Sequence, residues 1–493
     1  MKIYPDFETF RQLYGEFPVV PVYGEILGDL ETPVSAFMKI RKGSYNFLLE
    51  SAEQEEKTGR YSFLGTSPEF TVKGKGRKGE IYFNLTGERK VFEMDKPAGI
   101  LDDLLAGYRS PSYPGLPGFT GGLIGYFSYD FVRQMEKLPD ISPAPESEPP
   151  DFFFMFAKDV MIFDHFRRKI IFVSNVSRSK FGSADDAYRS GSESILSAKK
   201  MLDKTLFLVD SQGTSCGDGF ESNFSRPDFE AAVEKAREYI KSGDIIQAVL
   251  SQRWEKKLDV APFNIYRSLR SVNPSPYMFF IEAGDTRLVG SSPEILVKLD
   301  RDRVTLRPIA GTRPRDEDEA RDRELEMQLL SDEKEKAEHV MLVDLGRNDL
   351  GRICVPGTVR VSELMKVERY SHVMHMVSNV EGRLRSDATP SDVIKASFPA
   401  GTVSGAPRIR AMEIIEEIEP SKRGLYAGAV GYFSLQNHLD FCIAIRTFVI
   451  RNDKVSIQAG AGIVADSVPE REYEETCNKA KGLMEAYRKS SLI

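Results

Sequence analysis

A chain of 493 residues with 41% hydrophobic and 29% charged side chains has the composition of a globular enzyme and excludes disordered and fibrous classes. Its formal net charge of -7 comes with no concentrated lysine and arginine surface, which argues against a nucleic-acid partner. No uncharged apolar stretch reaches the roughly 18 to 20 residues of a membrane helix, so no membrane partner is expected.

The opening MKIYPDFETF lacks the basic start and apolar core of a signal peptide. Cys216, Cys354, Cys442 and Cys477 show neither metal-binding spacing nor a disulfide framework, and a cytoplasmic location is expected. Alternating apolar positions predict strands in YNFLLES (45–51), DVMIFDHFRRKIIFVSNV (159–176) and GYFSLQNHLDFCIAIRTFVI (431–450). Helical periodicity marks 320–346 and 408–419, so the fold class reads as α/β or α+β. Serine, glycine and aspartate accumulate over 177–226, which reads as a connection between a block at 1–176 and another at 227–493, although 190–206 has a helical pattern.

The two blocks share a pattern. YNFLLES…FLGTSPEFTVK (45–73) is echoed by YMFFIEA…LVGSSPEILVK (277–298), and GGLIGYFSYDF (121–131) by GAVGYFSLQNHLDF (428–441). From the SPE glutamate to the GYF glycine is 56 residues in the first copy and 137 in the second. An internal duplication is expected, with an insertion in the second copy that carries additional chemistry.

PEREYEETCNKAKG (469–482) sets Glu472 and Glu475 three apart, and SDEKEKAEHVMLVDLGRND (331–349) does the same with Glu335 and Glu338. On helices each pair shares a face. A solvated acidic face is the plainer reading of either run alone. Two converging pairs would repel, so a hard divalent cation is the natural mediator, and with oxygen donors Mg2+ is the first candidate. A di-iron bundle would want Glu-x-x-His on two helices, and only His339 adjoins these glutamates. AGTVSGAPR (400–408) and QAGAGIV (458–464) offer close backbone N–H groups for an anion, yet neither completes a nucleotide-binding motif. Arg446, in the apolar AIRT, requires an anion, either a ligand or a protein carboxylate.

Taken in order, PIAGTRPR, DEKEKAEHVMLVDLGRNDLGR, VERYSHVMHMVSNVEGRL, SFPAGTVSGAPR, GLYAGAVGYFS and QAGAGIVADSVPEREYEETCNKA resemble the chorismate-utilising enzymes, most closely the anthranilate synthase component I branch. The resemblance spans about 230–485 and extends to the first half through LLES and GYFSYD, where the family has its regulatory region. It implies a large two-layer sandwich of antiparallel-rich sheets with outer helices, and Mg2+-dependent conversion of chorismate and ammonia to anthranilate and pyruvate at the start of tryptophan synthesis. By this likeness Glu338 and Glu475 ligate Mg2+, with Glu335 and Glu472 close by. Arg446 and Tyr426 hold the pyruvyl carboxylate, and Gln247, Gly311, Thr312, Gly460, Ala461 and Gly462 complete the substrate pocket with Thr402. Glu294 of SSPEIL is the matching general acid. His375 matches the base that removes the C2 proton, although as a residue alone it reads more often as a satisfied core histidine.

Water-using members carry a lysine in the motif that here reads GDIIQAVLSQR, with Gln247, and many aminodeoxychorismate synthases have a lysine where PIAGT has Ala310. Both departures favour ammonia as nucleophile. The chain has no Gly-x-Cys-x-Gly context and only five histidines, so a separate glutaminase partner is implied. Feedback inhibition by tryptophan is implied too, in a pocket of Glu50, Ser51, Asn273, Pro274, Tyr277 and Met278 above Val430, Gly431 and Tyr432. The rival readings are an aminodeoxychorismate synthase component I, a phenazine-pathway aminodeoxyisochorismate synthase and a non-catalytic amino-acid sensor.

Overall fold

The computed structural model describes residues 1–52, 59–94, 99–145, 148–206, 219–370 and 373–493. Cys216 lies outside the described residues, and Cys354, Cys442 and Cys477 are free thiols. The first alternating run forms the strand Tyr45–Glu50. The second divides at a turn into Asp159–Asp164 and Lys169–Ser177, and the third into Ala429–Ser434, His438–Ile443 and Thr447–Arg451. Helix Arg408–Ile418 matches its periodic pattern, and Ala184–Met201 is helical within 177–226. The periodic run over 320–346 is two helices rather than one. Asp332 ends Glu319–Ser331 and caps Glu333–Gly351, its carboxylate accepting the free N–H groups of Lys334 and Glu335.

Among the described residues the strands form sheets of thirteen and twelve members. Period-2 alternation assigns each side chain a layer. Phe47, Phe279 and Ile281 of the larger sheet meet Ile124, Tyr126 and Val430 of the smaller one in the space between them. Leu48, Met278 and Phe280 point the other way, into a core shared with helices Pro262–Val272 and Pro469–Ser490. The outer face of the smaller sheet packs on Glu333–Gly351 and Pro390–Ser397. The architecture is thus a two-sheet sandwich with outer helices.

The internal repeat is visible in the pairing. Strands Tyr45–Glu50 and Tyr277–Ala283 lie side by side with Leu48 opposite Phe280, its own counterpart in the aligned repeats. In the smaller sheet Gly125 stands opposite Gly431, again its counterpart. Antiparallel strands that pair equivalent residues are related by a local two-fold axis, so the duplicated halves meet symmetrically in both sheets.

Candidate active site

The site is built where strands change sheets. Thr286–Ser292 belongs to the larger sheet and Ile295–Asp300 to the smaller, and Glu294 lies at the crossing between them. Ala444 to Arg446 make the reverse crossing, from His438–Ile443 to Thr447–Arg451. Backbone bonds tie the crossings together, Ile443 N–H to the Glu294 carbonyl at 3.0 Å and Ser291 N–H to the Arg446 carbonyl at 3.1 Å. The tertiary fold therefore brings together the backbone segments that carry an acid and a cation although 152 positions separate them.

Their environments differ from those of ordinary surface charges. Burial pushes the Glu294 carboxyl up to about 7, against an ordinary 4.5, and no cation forms an ion pair with it among the described residues. Beside it Thr402, on the turn Gly401–Val403, buries a hydroxyl that makes no well-formed hydrogen bond among the described residues but lies close enough to Glu294 to moderate the rise of its carboxyl. A small cavity of about 50 Å3 reaches both. Arg446 adopts a left-handed backbone at φ 51°, and its guanidinium is largely enclosed, with burial lowering its pKa. Among the described residues no carboxylate lies within ion-pairing distance of it, so of the two partners the sequence leaves open, a protein carboxylate is not observed. Tyr426 is buried beside it, its phenol pushed up to about 12 by burial and so a hydrogen-bond donor at neutral pH.

The floor is the strand Lys454–Ile463, laid against Gln247–Lys257 with Ser251 opposite Gly460 and Val249 opposite Gly462. Two of its glycines are required by close approaches. A β-carbon at Gly460 would stand 2.7 Å from the Tyr426 hydroxyl, and one at Gly462 would stand 2.6 Å from the Gln247 amide nitrogen. Between them, Ala461 buries its methyl in the core beneath Leu250 and Val233, so only its backbone is available to the pocket.

The acidic pairs lie on two helices, Glu333–Gly351 and Pro469–Ser490. Glu338 accepts from the Gln247 amide at 3.3 Å. Its carboxyl is raised by burial and, less strongly, by the charges of Glu335 and Glu475, and that of Glu472 by burial and by Glu475, so the charges of the two helices act on one another. Two carry protein cations: Arg313 reaches Glu335 at 3.0 Å and Lys479 reaches Glu475 at 2.7 Å. Among the described residues no three His, Cys, Asp or Glu side chains are arranged to hold a metal ion. By the chemistry of their oxygen donors these carboxylates suit Mg2+, which takes one or two carboxylates together with water and substrate oxygens.

Gly311 and Thr312 sit on the bulged strand Ile309–Pro314, beside His375 of Val373–Arg383. His375 Nδ1 lies 3.2 Å from the Gly311 carbonyl and 3.0 Å from the Thr312 hydroxyl. A carbonyl only accepts, so Nδ1 carries the proton and Nε2 keeps its lone pair. Burial lowers the pKa, which maintains the neutral ring.

Lys479 was not singled out from the sequence. Besides Glu475 it donates to the Gly460 carbonyl at 2.9 Å, and it lines, with Arg446, Arg471, Glu474, Glu475 and Asn478, an open cleft of about 490 Å3. Its signal was available, since a lysine four residues after Glu475 shares that helical face. Ala52 N–H bonds the Ser275 carbonyl at 3.0 Å and Met278 pairs with Glu50, which sets the LLES strand against the 273–278 segment. Glu50 is held there by Arg270 at 3.1 Å and by the Tyr266 hydroxyl, and Tyr277 donates to Asp440 at 2.9 Å. Tyr277, Val430 and Tyr432 share the core between the sheets, where Gly431 stands opposite Phe441. The Asn273 carbonyl accepts from Ser291.

Comparison with known proteins agrees with this architecture. The pattern of the chorismate binding enzyme family matches residues 45–485. Anthranilate synthase component 1 of Aquifex aeolicus (strain VF5) is 48% identical over 486 residues, covering 97% of each chain. The crystal structure of anthranilate synthase component I from Streptococcus pneumoniae TIGR4 superposes with a TM-score of 0.77 at 39% identity, over 93% of this chain and 98% of that one. The menaquinone-specific isochorismate synthase of Escherichia coli has a TM-score of 0.68 at 20% identity, over 99% and 98%, a likeness of fold. Sequence and architecture thus agree over nearly the whole length, and the chain belongs to the chorismate binding enzyme family.

Proposed function

We infer that this chain performs the reaction named by its relatives, the conversion of chorismate and ammonia to anthranilate and pyruvate at the entry to tryptophan synthesis. The observation that carries the reading is a buried acid held near neutrality, Glu294, on a segment bonded to the one that bears Arg446, a cation with no carboxylate partner among the described residues. Such a pair suits a substrate that must be anchored by a carboxylate while losing a hydroxyl.

In the proposed sequence Arg446 and the Tyr426 hydroxyl hold the pyruvyl carboxylate over Gly460 and Gly462. Glu294, with Thr402 beside it, protonates the C4 hydroxyl, which departs as water while ammonia attacks C2. Gln247 has no basic lone pair, so it orients without activating water. The C2 ammonium sheds a proton, His375 Nε2 removes the C2 hydrogen as a proton, the ring C–O bond to the enolpyruvyl group breaks, and the departing enolpyruvate takes up a proton to become pyruvate as the ring becomes aromatic. Glu338 and Glu475 are the residues that would hold Mg2+, with Glu335 and Glu472 at the second rank and Lys479 adjoining. When bound, Mg2+ would neutralise the ring carboxylate and the acidic helices together.

Ammonium predominates at neutral pH, so a glutaminase subunit would deliver ammonia directly. Residues 227–493 would supply the chemistry, and 1–176 would govern a tryptophan pocket between Glu50, Ser51 and the 273–278 segment, joined through 177–226. A cytoplasmic setting suits both substrates, and no helix among the described residues is long and apolar enough to cross a membrane. Chorismate, ammonium and Mg2+ incubated with the chain should give fluorescent anthranilate and pyruvate in equal amounts. An aminodeoxychorismate-type product, which retains the pyruvyl group, would overturn the reading, and a chain that binds amino acids but turns over nothing would point to the sensor.

A further inference from the structure

Directly beneath the proposed carboxylate pocket lies a pair of charges that the reaction itself does not use. Arg423 and Glu419 are only 3% and 6% exposed. Glu419 closes the helix Arg408–Ile418 and Arg423 follows in the loop to Tyr426. The guanidinium donates from Nε to Glu419 Oε2 at 2.9 Å and from Nη2 to Oε1 at 2.6 Å, the parallel geometry that arginine makes with carboxylates. Its remaining reach goes to backbone, Nη1 to the Val403 carbonyl at 2.7 Å and Nη2 to the Val249 carbonyl at 2.5 Å. Glu419 Oε1 also accepts from the Ser251 N–H and hydroxyl, each at 2.8 Å, and Gln458 donates to that hydroxyl at 2.8 Å.

Every segment gripped in this way carries a group of the pocket. Val403 follows Thr402, Val249 lies two residues from Gln247, and Ser251 stands opposite Gly460 in the ladder. The guanidinium carbon also lies 5.5 Å from the ring centre of Tyr426 and 4.9 Å from that of Tyr129, so it supports the phenol from behind. The Tyr426 hydroxyl and the Gly460 backbone, which approach closely, are thus both referred to one ion pair. A buried pair of this kind is a weak source of stability, because desolvation offsets much of its attraction, and well-packed apolar residues would serve the core as well. What an apolar pair lacks is a planar fork that fixes two irregular carbonyls and a ring together.

We propose that Arg423, locked by Glu419, is a positioning residue for the substrate's carboxylate: it sets the Tyr426 hydroxyl and the Thr402 turn relative to the Gly460 strand. The inference rests on the reading of Tyr426 as a carboxylate ligand. Arg423→Lys keeps the charge and removes the fork, and Glu419→Gln keeps the size and removes the lock.

The test is a double-mutant cycle of each with Tyr426→Phe, in full-length protein well below its melting temperature, read by calorimetric chorismate affinity with Mg2+ and by kcat and KM. Arg423→Lys or Glu419→Gln should weaken chorismate binding and raise KM by tenfold or more, with kcat falling less. Added to Tyr426→Phe, either should cost less than threefold further, because the group it positions is already gone. Unchanged affinity in a variant with a lowered melting temperature would assign the pair to stability alone and overturn the proposal, as would losses that multiply in the cycle. If Arg423→Lys does not fold, Glu419→Gln decides by the same criteria. Tyr426→Phe that binds chorismate normally sinks the pocket assignment and the positioning role with it. A wild-type chain that binds chorismate but forms another product sinks the proposed reaction while the affinity cycle still decides the role of Arg423.

Discussion

Glu294→Gln keeps the size of the side chain and removes the proton that the reaction needs. Burial raises this carboxyl from 4.5 to about 7, a displacement worth about 3 kcal/mol at roughly 1.4 kcal/mol per tenfold change in proton affinity. The folded protein binds the proton more tightly than the unfolded chain. The stabilisation is therefore present in full below about pH 4.5 and is lost as pH rises through about 7. In urea unfolding, the wild type should lose about 3 kcal/mol more than Glu294→Gln between about pH 4.5 and 8. The same proton governs catalysis, so the rate of anthranilate formation, divided by the concentration of free ammonia, should fall tenfold per pH unit above about 7. Glu294→Gln should lose about a hundredfold to ten-thousandfold at neutral pH. A normalised rate that stayed flat from about pH 6 to 9, with a glutamine variant within tenfold of wild type, would refute the assignment of Glu294 as the acid.

Glu338→Ala and Glu475→Ala should each reduce turnover by about a hundredfold or more while leaving circular dichroism unchanged, and near-normal rates at low Mg2+ would remove both from the metal set. Arg446→Met deletes an enclosed cation that has no carboxylate partner among the described residues, so the melting temperature should rise while calorimetric affinity for chorismate is lost; a fall in melting temperature would mean that the cation is satisfied within the fold. Gly460→Ala brings a methyl to 2.7 Å from the Tyr426 hydroxyl and 2.8 Å from the Leu250 carbonyl, and steady-state kinetics should show a raised KM for chorismate. Ser51→Phe should fill the proposed effector pocket and abolish inhibition by tryptophan at little cost to the basal rate, whereas unchanged tryptophan binding by calorimetry would place the effector elsewhere.

Much of this protein is legible in its sequence because the relevant rules are local. A three-residue spacing sets Glu335 with Glu338, and Glu472 with Glu475, on one face of whatever helix forms, and alternation sorts Phe47 from Leu48 before any partner is known. The break at Asp332 escapes the same reasoning, since periodicity continues through a residue that caps a second helix. The sequence also repeats SPE, and it is the family likeness, not spacing, that singles out Glu294 rather than Glu69 as the acid. Glu69, the counterpart of Glu294, is bound by Lys180 at 2.6 Å and by the Tyr108 hydroxyl at 3.0 Å, whereas among the described residues no cation forms an ion pair with Glu294, and burial outweighs the more distant charge of Lys479 to raise its carboxyl to about 7. Lys180 stands 111 positions from Glu69, and Arg446 lies 152 from Glu294. Spacing within a helix or strand is dictated by backbone geometry over a few residues, but which charges are paired, enclosed or left open depends on contacts between distant segments, and those exist only once the two sheets have closed on each other.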